Sequence, residues 1–200
     1  MKKLALQSGK ALVVIAHPDD ETIWMGGVIL RHQNITWTIF SLCRKEDSDR
    51  YPRFLRAVKF YRTRGIISNL RDEGILTSTK DLPEIEKRIR RELKEKKFDY
   101  IFTHALYGEY GHQKHKVVHQ VVKKMVERRK LVTNNLFFFA YEKAKNGKLC
   151  CPSQQAEFFL RLSEKEFKMK KRIIKKIYGF GSFSFENRSC SRIETFNKFK

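Results

Sequence analysis

"VVIAHPDDETIW", residues 13–24, joins two halves that ask for opposite surroundings. Extended back to Ala11, its apolar half becomes "ALVVIA" (11–16). That run is rich in β-branched residues and lacks polar alternation, the pattern of a strand buried on both faces. The second half supplies a histidine, a proline and three consecutive acids where the strand stops. A core strand has no use for such a cluster, so it marks a place where something binds or reacts. Residues 21–33 then read as a helix packed through Ile23, Trp24, Val28 and Ile29, with acids at the positive end of its dipole.

Outward from this stretch the same alternation recurs. "TWTIFSLC" (36–43) reads as a second strand, and "RKEDSDR" (44–50) as a polar loop. A helix is expected from Pro52 through Arg64, a third strand at "GIISNL" (65–70), and a charged helix from Asp81 to near Lys97. "DYIFTHA" (99–105) gives a fourth strand, followed by a glycine-punctuated loop and a helix over 113–129. "NLFFFAYE" (135–142) adds a strand and "SEKEFKMKKRIIKKIYGF" (163–180) a last amphipathic helix. Strands separated by helices need crossover connections, so the expected fold class is α/β: a Rossmann-like three-layer sandwich with a mostly parallel central sheet. At 200 residues and 41% hydrophobic content, one domain over 1–200 is expected, with a basic helix and tail at 161–200.

Charge and cysteine content narrow the function classes. Lys plus Arg number 43 against 22 Asp plus Glu, a net charge of +21, and residues 161–200 hold 12 basic against 4 acidic side chains. The excess is spread over many segments, as on a solvated basic surface, and it also suits an anionic substrate. Cys43, Cys150, Cys151 and Cys190 form no C-x-x-C pair, which argues against a structural zinc finger and against a disulfide framework. No apolar run is long enough for a signal core or a membrane span, so a cytoplasmic location is expected. "FSFENRSC" (183–190) and "FNKF" (196–199) interleave aromatics with charge and keep a nucleic-acid-binding scaffold as the competing reading. No nucleic-acid motif accompanies them, and no G-x-G-x-x-G follows the first strand.

In open α/β sheets, ligands gather beyond the carboxyl ends of the strands. His17, Asp19 and Asp20 lie past the first strand and "YGEYGHQKHKVVH" (107–119) past the fourth, so the two clusters share one rim. Imidazole and carboxylate are the ligand set of a catalytic zinc, which takes three protein ligands and keeps one position open. His17 and Asp20 can point at one ion, a histidine of the later loop completes the set, and Asp19 is left as a base. Taken singly, the acids also read as a helix cap and the histidines as rim residues. Spacing does not choose among His112, His115 and His119, because His115 and His119, four apart, also suit chelation.

"AHPDDE" after the first strand, with "GEYGHxxH" at a helix start far downstream, resembles the PIG-L/LmbE-like zinc-dependent N-acetylglucosaminyl deacetylases. The resemblance extends more weakly through "LCRKEDSDR" and the 163–180 helix. It implies a Rossmann-like sheet, a zinc ion, and hydrolysis of an acetamide on a GlcNAc-containing substrate. It makes His17, Asp20 and His115 the metal ligands, Asp19 the general base, and His112 the group that stabilises the oxyanion or protonates the leaving amine. Tyr110 is a further donor to that oxyanion, and Arg44 a candidate for holding a sugar hydroxyl or phosphate. Assembly into homo-oligomers is also known among such relatives. One departure stands out: where the family commonly reads H-P-D-H, this chain has "HQKH", so Lys114 replaces an acid. A lysine there is expected to lower the pKa of His112 by charge repulsion.

Overall fold

The structure, a computed structural model, describes residues 1–72, 81–144, 147 and 149–200, with only the backbone at Asp81. In chain order the elements begin with β1 (Lys2–Lys3), β2 (Gly9–Ile15), α1 (Asp20–Arg31), β3 (Ile35–Cys43), α2 (Arg50–Tyr61) and β4 (Arg64–Leu70). Next come α3 (Asp81–Glu92), β5 (Tyr100–Thr103), the single turn α4 (Gly108–Gly111), α5 (Gln113–Glu127) and β6 (Leu136–Phe139). A small hairpin, β7 (Tyr141–Lys143) and β8 (Cys150–Pro152), leads to β9 (Phe158–Arg161) and α6 (Glu164–Arg172). A π-helical turn (Ile173–Ile177), α7 (Phe185–Ser189) and β10 (Ile193–Lys198) complete the chain.

Eight of these strands form one sheet in the order β1-β9-β10-β6-β5-β2-β3-β4. The five strands β6-β5-β2-β3-β4 run parallel, as the crossovers require, while β10 is antiparallel to both β6 and β9. The fold is therefore α/β with a large, mostly parallel sheet. The chain moves from β2 outward to β3 and β4, then returns to the other side of β2 with β5. That reversal opens a crevice beyond the ends of β2 and β5.

The unbroken apolar run of β2 is explained by two cores. Ala11, Val13 and Ile15 face a layer with Trp24, Phe54, Tyr61, Phe102, Phe139 and Phe196, drawn from α1, α2 and the sheet. Leu12, Val14 and Ala16 face Phe40, Ile85, Ile89, Val118 and Val122, drawn from β3, α3 and α5. All six β2-run side chains are fully buried, and each of the larger ones stabilises by roughly 1.5–3 kcal/mol.

Departures from the sequence reading have local causes. The strand expected over 135–142 splits at Ala140, whose N–H and C=O are both taken by Thr195 of β10. The helix expected to reach Arg64 stops earlier, because Arg62 turns left-handed (φ 59) and Arg64 already pairs in the sheet. The charged helix ends at Glu92, short of Lys97. The 163–180 helix is α only to Arg172 and then widens into the π-turn. Residues 193–198, read as basic tail, form a strand that buries Glu194, Thr195 and Phe196.

α6 starts with a capping box: Ser163 Oγ accepts from Glu166 N (3.3 Å) and Glu166 Oε2 accepts from Ser163 N (2.7 Å). Ser163→Ala is expected to cost about 0.5–2 kcal/mol, read as a lower urea midpoint at unchanged slope. A larger m-value with the same midpoint would contradict it.

Candidate metal centre

His17 follows the last residues of β2, and its backbone N–H is accepted by Asp20 Oδ2 at 2.9 Å, which folds the turn back on itself. Asp20 opens α1, and Trp24 Nε1 fixes its other oxygen at 3.0 Å. His115 is on the first turn of α5, fully buried, facing the same crevice from the β5 side. Asp20 Oδ2 lies 3.4 Å from His17 Nδ1 and 3.4 Å from His115 Nε2. His115 Nε2 lies 3.3 Å from His17 Nδ1. Three donor atoms bonded tetrahedrally at about 2.0–2.1 Å stand roughly 3.3–3.4 Å apart, so the triangle has the edges a zinc site needs. Imidazole, imidazole and carboxylate are also the right chemistry for zinc with one position left open.

Each imidazole has a carboxylate behind it. His17 Nε2 meets Asp72 Oδ1 at 2.7 Å, and His115 Nδ1 meets Glu109 Oε2 at 2.5 Å. Such partners fix ring orientation and tautomer in metal sites. Burial opposes charge on His17, but Asp20 and Asp72 override it and raise its pKa to about 10, a measure of how strongly this spot favours positive charge. His115 is held below its ordinary value, burial outweighing Asp20, so the neutral ring a metal requires is favoured. Burial opposes the Glu109 charge too, yet His104 and His115 pull its pKa down to about 2.

Asp19 is buried beside Asp20, with Oδ2 3.0 Å from Arg50 Nη1. Burial and the Asp20 charge push its carboxyl well above the usual range, against the pull of Arg50 and His17. Its φ of 114° is costly for a residue with a side chain; Arg44 (φ 75°) and Glu109 (φ 54°) are strained alongside it. Each such residue costs about 1–3 kcal/mol, and such strain clusters at functional sites.

His112 stands against both His17 and His115, with ring centroids 4.8 Å and 4.5 Å away. Its Nδ1 is buried without a hydrogen-bond partner, a group that an incoming ligand can satisfy. The pKa of His112 is pushed down to about 4, by burial first and then by His115 and His17. Burial, followed by these rings, thus accounts for the lowering expected from Lys114, while the charge of Lys114, itself buried, reaches the Cys43 thiol. Tyr110 packs on His115, His112 and Phe185, and burial raises its phenol so that it stays protonated. His119 lies outside the cluster, donating from Nδ1 to the His104 carbonyl (2.9 Å) and packing on Phe138. Arg44 lines the cavity but is engaged with Asp72 at 2.6 Å and Asp47 at 3.5 Å.

A family model described as PIG-L, GlcNAc-PI de-N-acetylase, matches residues 12–126, from β2 through α5. The chain belongs to the PIG-L family. Among curated proteins it is similar to uncharacterized protein L374 of Acanthamoeba polyphaga mimivirus, 25% identical over 127 residues, covering 56% of this chain and 55% of that one. The chain thus spans about half the length of the curated relative it matches. Among solved structures it is similar to N,N'-diacetylchitobiose deacetylase from Pyrococcus horikoshii (TM-score 0.66, 14% identity, 95% of this chain and 83% of that one). It is also similar to the zinc-inhibited form of teicoplanin deacetylase Orf2 (0.65, 10%, 92% and 90%). A third likeness is to GalB, the 4-carboxy-2-hydroxymuconate hydratase of Pseudomonas putida KT2440 (0.64, 15%, 92% and 83%). At these identities the likeness is one of fold, and the hydratase shows that the fold alone does not set the reaction.

In this PIG-L chain several site residues escaped the sequence reading. His104 follows β5 and is fully buried; its Nε2 accepts the Ala16 N–H at 3.0 Å, which leaves Nδ1 protonated and facing Glu109 at 3.0 Å. Both ring nitrogens are therefore committed, and His104 buttresses the site. Glu109, Asp72 and Arg50 were hidden among the charged residues of polar loops, although Glu109 sits inside the quoted "GEYG". Phe185 and Glu186 of α7, beyond the matched segment, close the far wall of a cavity of about 190 Å³.

Proposed function

We propose that this PIG-L chain is a zinc-dependent N-deacetylase that releases acetate from an N-acetylglucosamine-containing substrate. The observation that carries this reading is the Asp20–His17–His115 triangle with its 3.3–3.4 Å edges, directly beside the buried Asp19. His17, Asp20 and His115 would hold the metal, which when bound supplies a Lewis acid and an activated water at neutral pH.

The remaining chemistry belongs to the chain's own groups. Asp19, oriented by Arg50, takes the proton of the attacking water and returns it to the departing sugar amine as acetate forms. The Nδ1 edge of His112, otherwise unpartnered, donates to the oxyanion, and the Tyr110 phenol is placed to add a second donor. Arg44, Arg50 and Glu186 line the rim and set how substrate enters. The aromatics that suggested a nucleic-acid surface are largely engaged otherwise, Phe185 on Tyr110 and Phe196 in the core.

Metal analysis combined with acetate release tests the reading. Wild type is expected to retain about one zinc per chain and to release acetate from at least one N-acetylated amino sugar. His115→Ala is expected to lose both. Full zinc in His115→Ala, or no acetate from any such sugar with zinc present, would overturn it.

A further inference from the structure

A second concave site lies along the two helices on the opposite side of the sheet from α1. A cavity of about 600 Å³ between α3 and α5 is lined by Lys87, Arg90, Arg91, Lys96, Lys124 and Arg128 over an apolar strip including Leu82 and Val121. Lys124 is nine residues along α5 from His115, about 14 Å at helical rise, so this groove is separate from the metal centre. Among the described residues one carboxylate, Glu86, lines it and already pairs with Lys130, while Arg91 meets Glu92 beside the groove at 2.8 Å. Among the described residues Lys87, Lys96, Lys124 and Arg128 have no ion-pair partner, while Arg90 reaches Glu86 only at 3.9 Å.

Cations in the last turn of a helix offset its dipole. That accounts for Arg90, Arg91 and Lys124 singly. It does not account for six cations from two helices and a loop converging on one concavity, where each repels the rest. Volume and shape suit a small molecule better than an extended polymer, since ligand pockets run about 300–1,000 Å³. Among the described residues no aromatic side chain lines the groove, so these offer nothing for bases to stack on. Guanidinium forks and ammonium groups together match phosphate oxygens, and the aliphatic floor matches an organic body.

We propose that the α3–α5 groove binds a small organic anion carrying two or more phosphate groups. The six cations hold its phosphates, Lys124 from α5, Arg128 just past the end of that helix, and the rest from α3 and the loop after it. The floor at Leu82 and Val121 holds the remainder. Occupation is independent of whether the metal centre turns over.

Isothermal titration with adenosine triphosphate and with inorganic tripolyphosphate, at two salt concentrations, tests this on the full chain. Both probes are expected to bind, the nucleotide more tightly, and both more weakly at higher salt. Lys124→Gln with Arg128→Gln, and separately Arg90→Gln with Arg91→Gln, are expected to weaken binding at least tenfold. Lys175→Gln with Lys176→Gln, an equal loss of exposed charge elsewhere, is expected to change it less than twofold. All these side chains are exposed, so the variants keep the fold. No binding at millimolar probe, or equal weakening in the 175/176 control, would overturn the proposal. Displacement of both probes by a 20-base-pair duplex that binds more tightly would overturn it in favour of a nucleic-acid surface.

Discussion

On the proposed reading, Asp19→Asn is expected to bind zinc as wild type does and to lose roughly 10²–10⁴-fold in turnover, the range that a positioned general base contributes. Asparagine is the informative replacement because the backbone at 19 holds φ 114°, and Asn tolerates positive φ better than most residues. Its amide oxygen can still accept from Arg50, which now approaches Asp19 Oδ2 at 3.0 Å, so the turn is preserved. What disappears is the ability to take a proton. The neighbouring carboxylate, Asp20, is untouched and keeps its contacts with Trp24 and the His17 backbone. A fall in kcat with normal metal content identifies Asp19 as the base, whereas loss of zinc would mean that it supports the ligands instead. Unchanged kcat would remove it from the chemistry.

How much of this site could be read from sequence depended on which physical signal each residue leaves. The β2 run was legible because both its faces are buried, which forbids polar alternation. His17 and Asp20 were legible because polar residues are abrupt at the end of such a run. The structure brings them within 3.4 Å of His115, the histidine that only the family resemblance had singled out from spacing that also allowed His119. His104 left no signal: a histidine at the end of "YIFT" looks like a rim residue, and its role comes from the Ala16 amide across the strand pair. Asp72 and Glu109 look like ordinary loop acids, and only folding shows that one stands behind the His17 imidazole and the other behind that of His115.

The C-terminal third was the least legible part, for a different reason. Its short strands carry too few residues to display a period, and β9 and β10 pair antiparallel with partners distant in sequence. "SCSRIETFNKFK" reads as a basic tail because Lys198, Lys200 and Arg192 dominate its composition. Its fold-defining residue is the one acid, Glu194, which has no neighbour in sequence that would predict its burial.

That acid carries the second large prediction. α1 breaks at Met25 (φ −147°), and a broken helix leaves backbone N–H groups that need acceptors. Glu194 supplies both its oxygens, accepting from Gly27 N at 2.7 Å and Val28 N at 2.8 Å, while Tyr141 donates to the Trp24 carbonyl at 2.7 Å. Gly27 is required there because a Cβ would come 2.1 Å from Leu162 Cδ2. Lys170, fully buried, balances the charge at 2.7 Å from Glu194 Oε1. Lys170→Met is expected to cost about 3–5 kcal/mol in urea unfolding, because it strands a buried carboxylate without its cation. Lys170→Met combined with Glu194→Gln is expected to recover part of that loss, since the amide oxygen still accepts one N–H and no net charge remains. The kink also sets where Trp24 meets Asp20, so zinc affinity is expected to fall in Lys170→Met and to return with the double change. Single and double variants of equal stability would show that the pair is not coupled, and the kink would then need another support.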